Sequence, residues 1–208
     1  MATPRGLEAA VRRIAACAVA LVSVAAIAAE PCGHFPSPGF GGPDMRRVKG
    51  RYANVQYFYS VDVPPELAAY TNPPPQPDHG FGIVLSWEPR AYLNVDATYD
   101  TLDWKTAAAA AKRSLAWTRE TSTQVLSDRR SPAHLGPLHA LRQVVRHRCA
   151  GLPDVHVDDD VVAVDAKEGV VFKVALTTTA ARYRQDKAVM DRVLASWRLG
   201  QPSGSRGE

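Results

Sequence analysis

Six histidines, three cysteines and several tight charge clusters are where chemistry would have to come from in this 208-residue chain. None of His34, His79, His134, His139, His147 and His156 falls in the H-E-x-x-H spacing that puts two imidazoles on one helical face around zinc. His139 and His147 lie eight residues apart on one strand-like segment, about 26 Å along the chain, too far to share an ion. Asp154 and Asp158-Asp159-Asp160 supply oxygen ligands for a hard cation but lack the spaced ligands and glycine of a calcium loop. They read as a solvated edge or turn. No Gly-x-Ser-x-Gly elbow or phosphate-cradling glycine loop is present, and Gly80-Phe81-Gly82 opens a strand rather than a helix. The reading assigns no catalytic residue, no metal site and no cofactor.

Two groups of residues suit binding instead. Arg142, Arg146 and Arg148 share one face of a strand, with Arg142 and Arg146 about 13 Å apart. They could meet an anionic ligand or pair with nearby acids. His79, Phe81, Trp87 and Tyr92 cluster around the proline-rich segment 72–80 and the hairpin after it. An aromatic surface there would suit a peptide, lipid or glycan, and the same rings would equally suit a core. A third feature is covalent. Cys32 and Cys149 could bridge, closing a long loop worth roughly 4–5 kcal/mol in the chain-entropy view. Otherwise Cys149 is a thiol that His147-Arg148 could activate, since nearby positive charge lowers a thiol pKa.

The bridge matters because the chain reads as exported. Arg5, Arg12 and Arg13 precede an uncharged, alanine-rich run from Ile14, and small residues at Ala26, Ala28 and Ala29 offer a cleavage context. A signal peptide over 1–29, cut near Ala28-Ala29, removes Cys17 and leaves Cys32 and Cys149 for an oxidising compartment, periplasmic or secreted. The run is short for a bilayer span of about 20 strongly apolar residues. Taking the signal's three Arg and one Glu from 25 basic and 21 acidic residues leaves 22 against 20. That near-neutral balance excludes the electrostatic footprint of a nucleic-acid binder.

The rest divides into a Gly/Pro-rich arm (30–47), one folded domain (48–199) and a polar, disordered tail (200–208). Residues 51–63, dense in Tyr, Phe and Val, predict a strand. Segments 81–87 and 91–98 predict a hairpin about Glu88-Pro89-Arg90. Trp104, Ala107, Ala108, Ala111, Leu115 and Thr118 recur at helical spacing and predict a helix over 104–120, started by Thr101 or Asp103. Strands follow at 124–128 and 138–149, parted by a turn at Ser131-Pro132. A hairpin over 155–165 and 170–178 turns at Gly169 and aims Val170, Phe172, Val174 and Leu176 at the core. A last helix spans 184–198. The fold class is α+β: an antiparallel sheet with packed helices.

The closing stretch carries a resemblance. Val174-Ala175-Leu176-Thr177-Thr178, then Tyr183, then Val193-Leu194-Ala195-Ser196-Trp197-Arg198 resembles the ending of the PsbP-like superfamily, which includes small exported bacterial proteins of the DcrB and LpqN kind. Leu135-Gly136-Pro137-Leu138-His139-Ala140 is similar to the turn that opens a central strand there. The resemblance implies a PsbP-like α/β/α sandwich and an accessory or binding role without a cofactor. The expected partner is an envelope or secreted protein or a small ligand, not nucleic acid, and no membrane span remains after cleavage. A hydrolase with an unrecognised site and an immunity-like or envelope-protection partner are the alternatives.

Overall fold

The computed structural model describes residues 40–43, 45–71 and 78–200. The signal segment, Cys32, His34, most of the arm, prolines 73–75 and the tail 201–208 lie outside the described residues. In chain order the elements are β1 (Arg46–Val48), β2 (Arg51–Asn54), β3 (Tyr59–Asp62), β4 (Ala69–Thr71), β5 (Gly80–Trp87), β6 (Arg90–Tyr99) and α1 (Ala107–Thr121). They continue as β7 (Gln124–Leu135), β8 (Leu138–Arg148), β9 (Val155–Asp165), β10 (Val170–Thr179), α2 (Tyr183–Ser196) and β11 (Arg198–Leu199). Eight strands make one sheet in the order β1-β4-β5-β6-β10-β9-β8-β7, and β11-β3-β2 make a second. Every pairing is antiparallel.

Alternation along the central strands sends the two helices to opposite faces. Val170, Phe172, Val174 and Leu176 of β10 point into the main core, as their spacing predicts, with Leu93, Val95 and Ala97 of β6 and Val161 and Ala163 of β9. Met190, Val193 and Trp197, from α2 and the residue after it, close that core together with Tyr59 of the small sheet. The other face carries α1, which packs on β8 and β9. The result is α+β, with a large antiparallel sheet between helices. No helix among the described residues is long and apolar enough to cross a membrane.

Several local expectations are corrected. Residues 51–63 are two strands, not one. Asn54 Oδ1 accepts from the backbone N–H of Gln56 and Tyr57, folding the chain into a turn, and Phe58 leaves it at φ 53°. Helix α1 starts three residues late, at Ala107: Thr106, not Thr101 or Asp103, is its N-cap, and its hydroxyl accepts from Ala109 N–H. Ser131-Pro132 is not a turn. β7 runs through it because β7 is the sheet's edge, where proline's missing N–H costs no ladder bond. The turn falls at Gly136, with φ 54°, where an added Cβ would come within 3.3 Å of Trp197. Asp158, Asp159 and Asp160 are not solvated either: all three are buried in the middle of β9.

Candidate anion-binding groove

The three β9 aspartates explain what becomes of the predicted arginine face. Arg142 and Asp159 sit on adjacent strands, where Val161 opposes Arg142 and Asp159 opposes Val144. Arg142 grips Asp159 bidentately, with Nε at 2.8 Å and Nη2 at 2.6 Å from its two oxygens. Its Nη1 reaches Asp191 of α2 at 3.2 Å, and Tyr183 donates its hydroxyl to Asp159 at 2.8 Å. The hydrogen bonds that Arg142 donates to Asp159 raise the guanidinium pKa, while burial and then Asp159 raise that of the Tyr183 phenol. Asp159 is wholly buried, so this cluster ties α2 to the sheet. Removing either partner would strand a buried charge. Arg142 is thereby committed to the fold.

Arg146 is different. Four residues further along the same face, it is exposed and lines an open groove of about 610 Å³ at the N-terminal end of α2. Ser127 and Arg129 of β7, Val144 of β8, Val157 of β9 and Tyr183 complete its walls. The register opposes Ser127 to Arg146 and Arg129 to Val144, which makes Arg129 and Arg146 diagonal neighbours on one face. Arg130 stands at the rim, paired with Asp128 at 3.2 Å. Neither the Arg129 nor the Arg146 guanidinium has a hydrogen bond or ion pair among the described residues. Two like charges held side by side repel one another, and an anion between them removes that repulsion. The sequence signalled Arg146. It did not signal Arg129, because β7 was ended at 128 and its register with β8 was out of sight.

The opposite face holds a polar set that sequence reasoning missed. Ser122, just past α1, lies 2.8 Å from His147 Nδ1, and His147 Nε2 lies 3.1 Å from Asp158 Oδ2. Burial alone would raise the Asp158 pKa; His147 and Thr177 outweigh it and hold the carboxyl below its ordinary value. A serine, histidine and aspartate in a row are the parts of an acyl-transfer site. Such a site also needs N–H donors aimed at the developing oxyanion. The Ser122 N–H donates to Thr118 O and the Thr123 N–H to Arg148 O. A helix C-terminus presents carbonyls, the wrong polarity for an oxyanion. The arrangement fastens α1 to β8 and β9.

The predicted aromatic surface does not assemble. Phe81 faces the main core and is 2% exposed. Tyr92 points to the other face, where Phe40 packs edge-on against it and its hydroxyl crosses Gly82. Trp87 sits at the far hairpin end, about half exposed. His79 stacks on Tyr57, and its Nδ1 lies 2.9 Å from Ala97 O and 3.0 Å from the Tyr57 hydroxyl. A second cavity, about 530 Å³, opens beside Tyr57 between Phe58, Tyr99 and Val170. Of its charged residues, Lys167 and Glu168 pair with each other, and Asp165 accepts from their backbone N–H groups. Cys149 is buried, 3.7 Å from His147 Nδ1; its expected partner Cys32 lies outside the described residues. Among the described residues no cluster of histidine, cysteine and acidic side chains is placed to hold a metal ion.

No protein-family model matches the sequence, and the search of curated proteins finds no match. Solved structures do align. The chain is similar to cyanobacterial PsbP (CyanoP) from Synechocystis sp. PCC 6803, at 16% identity over 80% of this chain and 99% of that one, with a TM-score of 0.49. It is similar to the Ran-binding protein Mog1p of Saccharomyces cerevisiae, at 9% identity over 76% and 97%, TM-score 0.49. It is also similar to LpqN of Mycobacterium tuberculosis, involved in cell envelope biogenesis, at 9% identity over 78% and 88%, TM-score 0.37. Both kinds of protein named by the sequence resemblance, PsbP and LpqN, are among these. At such identities no ligand or partner transfers from them to this chain.

Proposed function

We propose that this chain is an exported accessory or binding protein, without a cofactor, that captures an anionic group of an envelope or secreted partner between Arg129 and Arg146. One observation carries the reading. Some arginines are held by acids, such as Arg46 by Asp78, Arg51 by Asp62, Arg142 by Asp159, Arg182 by Asp186 and Arg192 by Glu66, while others stand singly on the surface. In the groove two arginines without an acid among the described residues are diagonal neighbours lining one cavity. Export rests on the signal segment, and the Cys32–Cys149 bridge would fasten the arm to the end of β8. The intact mass of the periplasmic protein, before and after reduction and alkylation, reads both.

The groove is tested with inorganic phosphate as probe, titrated at low salt while backbone amide resonances are followed. Shifts should concentrate at Ser127, Arg129, Arg146 and Val157, vanish in R129A/R146A and weaken with added chloride, as exposed charge contacts do. Shifts spread evenly over all surface arginines, or unchanged in the double variant, would discard the groove. The hydrolase alternative has one observation behind it, the Ser122–His147–Asp158 row. A fluorophosphonate adduct on Ser122, lost in S122A, would put that reading first.

A further inference from the structure

The groove has an open side. β7 is the last strand of the large sheet, twelve residues long, and among the described residues only β8 pairs with it. The other edge, β1, has three residues. A long edge strand offers a row of unpaired backbone N–H and C=O groups, and an extended segment can add to it as a further strand. On β7 that row is bounded. A register irregularity lies between Val125 and Ser127, and Pro132 offers no N–H at the other end. The continuous stretch from Ser127 to Ser131 is about 17 Å long. Arg129 stands at its centre and faces the groove, Arg130 stands on the other face, and Arg146 lies one strand in.

From this placement we propose that β7 receives an acidic extended segment of a partner protein as a ninth strand, its carboxylates alternating onto Arg129 and Arg146. The inference rests on the groove reading and names its partner. Charge complementarity selects the occupant. The one acid of this stretch, Asp128, is already held by Arg130 and by Gln143 Nε2 at 2.8 Å, so the surface that meets an added strand is net positive. The same charges oppose pairing of β7 with a second copy of itself, which would set arginine against arginine. Side chains alternate along a strand, so a partner with an acid at every second residue turns all of them to the groove.

The test uses the full mature protein and a ten-residue synthetic peptide of alternating threonine and glutamate, with binding read by fluorescence anisotropy. Two further peptides carry N-methyl groups on the glutamate amides or on the threonine amides. In an added strand only one of these sets faces β7. One methylated peptide should therefore bind about tenfold or more weakly, and the other like the parent. Lysine in place of glutamate, or R129E/R146E in the protein, should also cost about tenfold or more. Exchange of the β7 amides between 127 and 131 should slow on binding. If both methylated peptides bind like the parent, strand addition is overturned while the phosphate response still supports the groove. If anionic phospholipid vesicles capture the protein and the peptide does not bind, the arginines belong to a lipid surface and the inference fails. If neither phosphate nor peptide responds to R129A/R146A, the groove reading fails with it.

Discussion

The two faces of the sheet are held by different physics. Beneath α2 lie Tyr59, Phe172, Met190, Val193 and Trp197, with Trp197 stacked on Tyr59 at 4.6 Å between ring centres and meeting Phe172 edge-on at 5.7 Å. Beneath α1 the apolar cluster is smaller: Ala110, Val162 and Val171, with Trp104 and Val164 packed against it, beside the buried Ala111 and Leu115 of the helix. Much of the remaining interface is polar. Ser114 bonds Asp160 at 2.5 Å, Lys173 pairs with the same carboxylate at 2.9 Å, and Thr118 reaches Asp158 at 3.3 Å. Apolar burial is non-directional and grows with area, whereas a hydrogen bond to a buried acid mostly repays the cost of burying it. The α2 face therefore supplies stability, and the α1 face supplies a fixed placement with little stability to spare.

The strongest way to break this contrast is at Trp197. Trp197→Ala removes a wholly buried ring and should cost about 3–5 kcal/mol, read as a lowered urea midpoint with unchanged slope. A loss under about 1 kcal/mol would mean that the α2 face is not the main core. A smaller effect sharpens the contrast from the other side. Ser114→Ala with Thr118→Val removes two of the polar pins of α1 and should cost about 2 kcal/mol in all. Native-state hydrogen exchange should then speed in α1 and leave α2 almost unchanged, because α1 opens locally. Equal acceleration in both helices would show one cooperative unit and dissolve the distinction.

The α2 face was legible in the sequence, whereas on the α1 face only the helix stripe was, with Ala111, Leu115 and Thr118 buried as their spacing predicts, and the acids beneath it were not, for a physical reason. Alternation in β10 and the 3.6-residue period of α2 are local patterns, and both report burial directly. The burial of Asp158, Asp159 and Asp160 depends on partners from four other elements: Ser114 and Thr118 of α1, Arg142 and His147 of β8, Lys173 and Thr177 of β10, and Tyr183 of α2. No local pattern carries that information. The candidate groove was half legible in the same sense. Arg146 stood on a recognised strand, while Arg129 was hidden by a Ser-Pro pair that signals a turn everywhere except at a sheet edge. The 55–58 turn escaped because Phe58 takes a backbone conformation that favours glycine or asparagine. Asn54, which makes the turn, was the available sign.

The smallest expected effect is pH dependence confined to the α1 face. His156 on β9 is buried beside His147, with ring centres 6.0 Å apart, and it also feels Asp158 and Asp154. Burial, then the charge of His147, pushes its imidazole below the ordinary value near 6.5, against the pull of the two acids. Between the lowered folded value and the unfolded one, the unfolded chain binds more protons, so stability rises with pH in that window. Acidification from neutrality through the histidine range should therefore loosen this face. Asp158 acts at a different pH. Its folded value lies below the ordinary carboxylate value of 3.8, so its contribution is fully present above that value and is lost progressively as the pH falls below it. Opening free energies of α1 amides should accordingly decline from pH 7 to pH 5, more steeply than those of α2. His156→Gln should flatten that decline, judged by its slope rather than by its starting stability. An undiminished slope in His156→Gln would assign the sensitivity to another group, and an equal decline in α2 would make it a property of the whole domain.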